Sequence, residues 1–442
     1  MERTKITTLL ERTRGLAVFR DVPKMPGVRD LLALLAILTK DEPEPGVFAE
    51  GYARLWRSLA ETPERLLPDA WRSCLARAIL DDENPFSLGC ERGTPDPLFA
   101  EQARRELEAL RGLFGLDSKT LLGLVEGAAP SLAGTWTAPV HETFPDASPR
   151  AAMAGELAGD GDSAETVEGL AEHFARHGAG ALGRHAAFRW RGGRLAPVTR
   201  PDGIRLDGLV GYEGERGPLV ENTRRFLAGL PAHHALLYGP PGTGKSSTVK
   251  AVANEYAGKG LKLVEVSKED LGELPALLDV LRGRGPRFVL FVDDLSFEEH
   301  EVEYKALKAL LEGSIEEPPP NVRVYATSNR RNLIRENFSD RGEPGDDVHA
   351  RDTMQEKLSL SARFGLRLTF PAPNQERFLG IISGLVRERG IKVPPGQLRE
   401  RALLWDRWHA GRSGRTARQF VDELEAGLAY DPADESPRSL PR

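Results

Sequence analysis

Between residues 204 and 371, short apolar runs alternate with stretches whose apolar residues recur at helical spacing. "HALLYG", "LKLVEVS", "RFVLFVDD", "NVRVYATSN" and "GLRLTF" read as strands. "SSTVKAVANEYAG", "EDLGELPALLDVLR" and "EYKALKALLEGS" read as helices. Val249, Val252, Ala253 and Tyr256 share one face of the first, and Tyr304, Leu307 and Leu311 one side of the third. Strands alternating with helices indicate a parallel sheet covered on both faces. The expected fold class is α/β, a three-layer α-β-α domain over 204–371 followed by a smaller helical region at 372–442.

Upstream, residues 1–126 carry helical spacing in "VRDLLALLAIL", "AEGYARLWRSLAE", "WRSCLARAILDD" and "FAEQARRELEALRGLFG", broken by "DEPEPGV" and "CERGTPDP". No repeat period emerges, so a solenoid has no support. Residues 127–203 change character. The Gly-, Ala-, Pro- and Ser-rich stretch 127–164 reads as a linker or loose connection. After it, "AETVEGLAEHFARHG" reads as a helix, and "AAFRWRGGRLAPV" as a short hairpin turning at Gly192-Gly193.

Composition narrows the class without naming the chemistry. The 442 residues suggest two or three domains, and 40% hydrophobic with 29% charged residues is ordinary globular material. A net charge of −6 argues against a protein that coats nucleic acid non-specifically. The two cysteines, Cys74 and Cys90, lack disulfide-framework or zinc spacing, which points to a reducing, cytoplasmic home. No stretch has the apolar length of a membrane span, and the N-terminus mixes acids and bases without an apolar core, so neither an anchor nor a signal peptide is expected.

The strongest chemical signal is "GPPGTGKSS": Gly239, Pro240, Pro241, Gly242, Thr243, Gly244, Lys245, Ser246 and Ser247. It fits the phosphate-loop spacing and stands after a strand and before a helix. The glycines let backbone N–H groups curl inward as an anion nest, and the helix N-terminus adds partial positive charge. Lys245 is placed to reach the β- and γ-phosphates of ATP, and the Ser246 hydroxyl to ligate Mg²⁺. Asp293, at the end of the apolar run Phe288–Val292, fits the second Mg²⁺ ligand. Asn329 ends the strand "VYATSN" at the sheet edge where ligands bind, suited to orienting an attacking water. Alone, an Asp or Asn at a strand end is usually a turn residue; following this loop in this order, each acquires a role.

The chain here resembles the AAA+ P-loop ATPases. "GLVGYEGERGPLVENTRRFL", "GPPGTGKS", "FVLFVDD", "YATSN", "SARFG" and "GRTARQF" follow in that superfamily's order over about 204–430. Longer strings, among them "DDLSFE", "YKALKALLEGS" and "GRTARQFVDEL", are similar to one bacterial group, domain-of-unknown-function family 815, described as ATP-binding. The resemblance implies an adenine pocket lined by Gly208 to Tyr212, including Gly211 and Tyr212, with Asn329 as sensor 1. It implies an arginine finger at Arg363 reaching a neighbouring subunit's site, and a sensor 2 at Arg415 or Arg418 in the helical lid. Arg415 and Arg418 lie three apart on one helix face, so spacing does not choose between them. A finger acting in trans implies a homo-oligomer, ring or filament, with ATP between subunits; Arg330 and Arg331 are rival sources of trans contacts. Protein-threading relatives carry an aromatic–hydrophobic–Gly loop after the second strand. "SKEDLGELPALL" has no aromatic residue there, which disfavours threading and is nearer to initiator and helicase-loader types.

Other features take plainer readings. His233 and His234 are loop residues without a third ligand nearby. The acid-rich 339–352 is a solvated loop. Trp405 and Trp408 belong to the core of a lid helix, and the N-terminal helices form a packing or partner-recognition module, with no membrane contact. Three functions remain open: a Mg²⁺-dependent ATP hydrolase driving remodelling of a protein or nucleoprotein partner, a nucleotide-dependent binding switch with slow hydrolysis, and a helicase-loader-like DNA-associated ATPase, for which a salt-dependent DNA affinity is expected. In the first, Asp294 polarises the water, Asn329 positions it, Lys245 holds the phosphates and Arg363 neutralises charge. Most AAA+ relatives have Glu at the Asp294 position, so the shorter arm needs a closer backbone or help from Glu298.

Overall fold

The computed structural model describes residues 3–40, 44–141, 148–297, 304–312, 317–330, 333, 360–409 and 411–429. The chain forms two compact units. The first gathers residues up to His185 with the short segments Gly258–Gly260 and Gly283–Pro286; the second holds Ala186–Ala257, Leu261–Arg282 and the chain from Arg287 on. Glu298, Arg331 and the loop 339–352 lie outside the described residues.

The first unit is helical: α1 (Arg3–Arg14), α2 (Pro26–Leu38), α3 (Pro45–Ala60), α4 (Ala70–Asp81), α5 (Pro85–Glu91), α6 (Pro97–Phe114), α7 (Ser118–Ala128), α8 (Pro149–Ala158), α9 (Ser163–His177) and α10 (Gly180–Arg184). The Pro-containing breaks in its sequence are helix starts. Pro45 and Pro97 sit in the first turn of α3 and α6, where a missing N–H costs nothing. Asp69, Asn84, Asp96 and Asp117 cap α4 to α7 by accepting a backbone N–H. Phe19, Trp71, Phe86 and Phe174 are fully buried in its core. Where composition predicts a linker, α8 is a helix capped by Ser148, with Met153, Ala154 and Leu157 buried. Its buried face also carries Arg150, so the apolar stripe is faint in sequence, although its alanines favour helix.

The second unit is built on a sheet of β1 (Ala187–Arg191), β2 (Arg194–Pro197), β3 (Ala235–Tyr238), β4 (Leu261–Glu265), β5 (Arg287–Val292), β6 (Val322–Ser328) and β7 (Leu366–Thr369). The seven strands lie in the order β2-β1-β4-β5-β6-β3-β7. All neighbours are parallel except β1 and β2, the Gly192-Gly193 hairpin. This hairpin, expected within the connecting module, is instead the edge of the sheet, because β1 pairs in parallel with β4. The flanking helices are α11 (Glu213–Leu227), α12 (Lys245–Tyr256), α13 (Leu274–Leu281) and α14 (Tyr304–Glu312). From β3 the chain crosses through α12 to β4, past two strands, and returns through β5 and β6. This brings the carboxyl ends of β5, β6 and β3 side by side, the edge at which doubly wound sheets bind ligands.

The C-terminal helices are α15 (Gln375–Glu388), α16 (Pro395–Trp408) and α17 (Gly414–Ala429). Phe378, Ile382, Leu385, Phe420, Val421 and Leu424 pack with residues of β3 and β7 in one core. Trp405 is partly buried, its ring stacked on His409 at 3.7 Å. Trp408, expected in the core, is 83% exposed. The buried stripe runs Leu398, Ala402, Trp405, and the helix ends at Trp408 before the stripe's next position. His234 is structural: its Nδ1 accepts the Val324 N–H at 2.9 Å, while Asn222 brackets the His233 backbone.

Candidate nucleotide site

The loop after β3 folds as its glycines require. Gly239 lies at φ +150°, and a Cβ there would stand 2.0 Å from the Phe370 carbonyl oxygen, so only glycine fits. Gly242 accepts the Gly414 N–H at 2.7 Å, tying the loop to the start of α17. Thr243 closes the turn by donating to the Pro240 carbonyl at 3.0 Å. Helix α12 opens at Lys245, directing its free amides and the positive end of its dipole into the loop.

Lys245 is buried, and its ammonium donates to the carbonyls of Gly239 and Pro240 at 2.7 and 2.8 Å and to Asn329 Oδ1 at 3.1 Å. Burial lowers its pKa, while the nearby Asp294 and Asp293 carboxylates act in the opposite sense. Asn329 spends its amide in both directions: its Nδ2 donates to Asp294 Oδ1 at 2.6 Å. Lys245, Asn329 and Asp294 thus form one hydrogen-bonded chain across the ends of β3, β6 and β5. Ser246 Oγ donates to Asp293 Oδ1 at 2.5 Å, joining the helix start to the end of β5. Asp294 stands in the left-handed region at φ +50°.

A cavity of about 560 Å³ opens over these groups. Pro241 to Ser247, Asp293, Asp294 and Asn329 line its phosphate end; Gly208, Leu209, Val210 and Tyr212 line another wall, with Ile381 and Leu385 of α15 and Arg415 and Arg418 of α17. The carbonyls of Gly239 and Pro240 lie under the loop, facing the Lys245 ammonium. Gly211 borders a neighbouring groove, and its N–H donates to Glu213. Tyr212 is fixed from three sides: stacked on Phe370 at 5.5 Å, beneath the Arg377 guanidinium at 4.4 Å, and donating its hydroxyl to the Pro371 carbonyl at 2.7 Å. Both Arg415 and Arg418 are exposed and face the cavity, so the geometry keeps both.

Arg363 does not line this cavity; it pairs with Glu312 at the end of α14. Arg330 is exposed beside Asn329. Sequence reading missed Thr327, Gln419 and Asp422 in the cavity wall. Each had a periodic signal. Thr327 lies two before Asn329 on one strand face, and Arg415, Arg418, Gln419 and Asp422 fall at i, i+3, i+4 and i+7 of one helix. Among the described residues no cluster of three or more His, Cys, Asp or Glu is placed to hold a metal.

Comparison with known proteins gives three findings. Over 114 residues the chain is 34% identical to the 26S proteasome regulatory subunit 6B homolog of Schizosaccharomyces pombe, covering 23% of this chain and 29% of that protein. Over 120 residues it is 28% identical to the proteasome-activating nucleotidase of Methanocella arvoryzae, covering 24% and 29%. The chain therefore spans less than a third of the length of these curated relatives. Among solved structures, the RuvB Holliday junction branch migration motor of Thermotoga maritima aligns at 18% identity and a TM-score of 0.35, over 51% of this chain and 65% of that one. Residues 183–428, more than half of the chain and including the hairpin, the sheet and the C-terminal helices, match the family described as "Protein of unknown function (DUF815)". The chain belongs to that family, of the AAA+ P-loop kind.

Proposed function

We propose that this protein binds ATP with Mg²⁺, hydrolyses it to ADP and phosphate, and uses the cycle to assemble or remodel a protein or nucleoprotein partner. One observation carries the reading: the Lys245–Asn329–Asp294 chain and the Ser246–Asp293 pair meet in a single cavity under a phosphate loop. The donor set suits Mg²⁺, since Ser246 Oγ and the Asp293 carboxylate are hard oxygen ligands at the mouth of the loop. Bound there, Mg²⁺ would neutralise charge on the transferring phosphate. The loop amides and the Lys245 ammonium bind the phosphates. Asp294 accepts the proton of the attacking water, and Asn329 sets the carboxylate's direction. Arg415 and Arg418 reach the nucleotide from α17.

Arg363 takes the trans role in this reading. It lies away from its own chain's cavity, as a group serving a neighbour's site must, which supports a homo-oligomer with ATP at subunit interfaces. Among the described residues no helix is long and apolar enough to cross a membrane, and a cytoplasmic location is part of the proposal. The slow-switch reading draws on one contact. The 2.6 Å bond from Asn329 occupies an oxygen of the acid that would take the proton. Steady-state phosphate release by the wild type, Lys245→Ala and Asp294→Asn tests the proposal: turnover is expected in the wild type, none in Lys245→Ala and at least about a hundredfold less in Asp294→Asn, and equal rates in wild type and Lys245→Ala would reject hydrolysis.

A further inference from the structure

Thr327 is 1% exposed, at the carboxyl end of β6, and its hydroxyl touches both acids of the site. Its Oγ1 donates to Asp293 Oδ1 at 2.5 Å. The same oxygen accepts the Asp294 N–H at 3.0 Å. Its backbone carbonyl accepts the Leu295 N–H at 2.7 Å. One residue therefore anchors three successive residues of the turn that ends β5. A hydroxyl has one donor and two acceptor sites, so a single side chain can serve both contacts.

We propose that Thr327 is a positioning residue that sets the metal-side carboxylate and the proton-accepting acid together. This rests on the ATPase reading above. With Ser246 and Thr327 both donating to Oδ1, Asp293 Oδ2 keeps no hydrogen-bond partner among the described residues, which suits it to a cation. The bond from the Asp294 N–H holds that residue in its left-handed conformation, which L-residues rarely adopt. Released from the anchor, the turn can relax and carry the Asp294 carboxylate away from Asn329. Valine matches threonine in shape but offers neither donor nor acceptor; serine offers both.

The test uses the full chain with Mn²⁺ as the metal probe and a non-hydrolysable ATP analogue, binding being read by electron paramagnetic resonance, alongside steady-state hydrolysis. The wild type is expected to bind Mn²⁺ only with nucleotide. Thr327→Val is expected to weaken Mn²⁺ about tenfold, as loss of an outer-shell partner does. Its kcat should fall by roughly ten- to a hundredfold while KM for ATP stays close to the wild-type value. Thr327→Ser should restore both. Thr327→Ala removes the hydroxyl without the second methyl, and serves if the valine variant does not fold. Wild-type Mn²⁺ affinity in the valine or alanine variant overturns the proposal, as does a serine variant that loses affinity equally, since packing rather than the hydroxyl would then set the site. A wild type without nucleotide-dependent Mn²⁺ binding overturns the ATPase reading itself, and this inference with it.

Discussion

Asp294 and Tyr212 are the two non-glycine residues at positive φ among those described. Asp and Asn tolerate this region better than other L-residues, because a short polar side chain can bond locally. The backbone turn gives the short arm its reach, bringing the carboxylate to 2.6 Å from Asn329. A glutamate would carry its carboxylate a methylene past that donor, from a backbone less suited to it. Asp294→Glu is therefore expected to lower turnover by roughly ten- to a hundredfold, with nucleotide affinity unchanged in an equilibrium titration. A glutamate variant as fast as the wild type would show that arm length is not used. Lys245, Ser246, Asp293 and Asn329 were legible because the loop motif and two strand ends announce them. Thr327 was not, because its role comes from register: Val292 pairs with Ala326, which sets Asp293 beside Thr327, and a single chain does not display that pairing.

For the elements, β3 and β5 were the most readable strands, because burial on both faces leaves apolar runs such as Phe288 to Val292. The hairpin was readable as a hairpin, but its place at the sheet edge follows from pairing with β4, which is distant in sequence. The polar side chains beneath the sheet were unreadable for the same reason. Tyr325, fully buried in β6, is hydrogen-bonded to Asn222 and Thr223 of α11, and His234 accepts from the neighbouring Val324. Burial, with Arg323 and His233 adding to it, pushes the His234 pKa from 6.5 down to about 4. The folded state thus takes up this proton less readily than the unfolded chain. The stability contributed is present above pH 6.5 and lost as pH falls toward 4. Urea unfolding between pH 7 and 4.5 should show a loss on the order of 2 kcal/mol from this site. His234→Asn, which keeps an acceptor and cannot titrate, should flatten that slope; parallel slopes would remove His234 as its source.

For the whole molecule, the sequence announces a phosphate loop and leaves any partner open. The helical unit displays caps and a packed core but no chemical motif. The proposed homo-oligomer can be tested directly. If Arg363 acts on a neighbour's nucleotide, Arg363→Ala should lower turnover by about a thousandfold or more while ATP still binds. Mixing it with Lys245→Ala should recover activity, since each variant supplies what the other lacks; a wild-type rate in Arg363→Ala alone would remove the finger. The central claim, that the meeting of β3, β5 and β6 hydrolyses ATP, is tested most directly by phosphate release from the purified full-length protein with Mg²⁺ and ATP. Turnover is expected in the wild type, none in Lys245→Ala, and at least about a hundredfold less in Asp294→Asn with nucleotide binding retained. Wild-type release no faster than that of Lys245→Ala would contradict it.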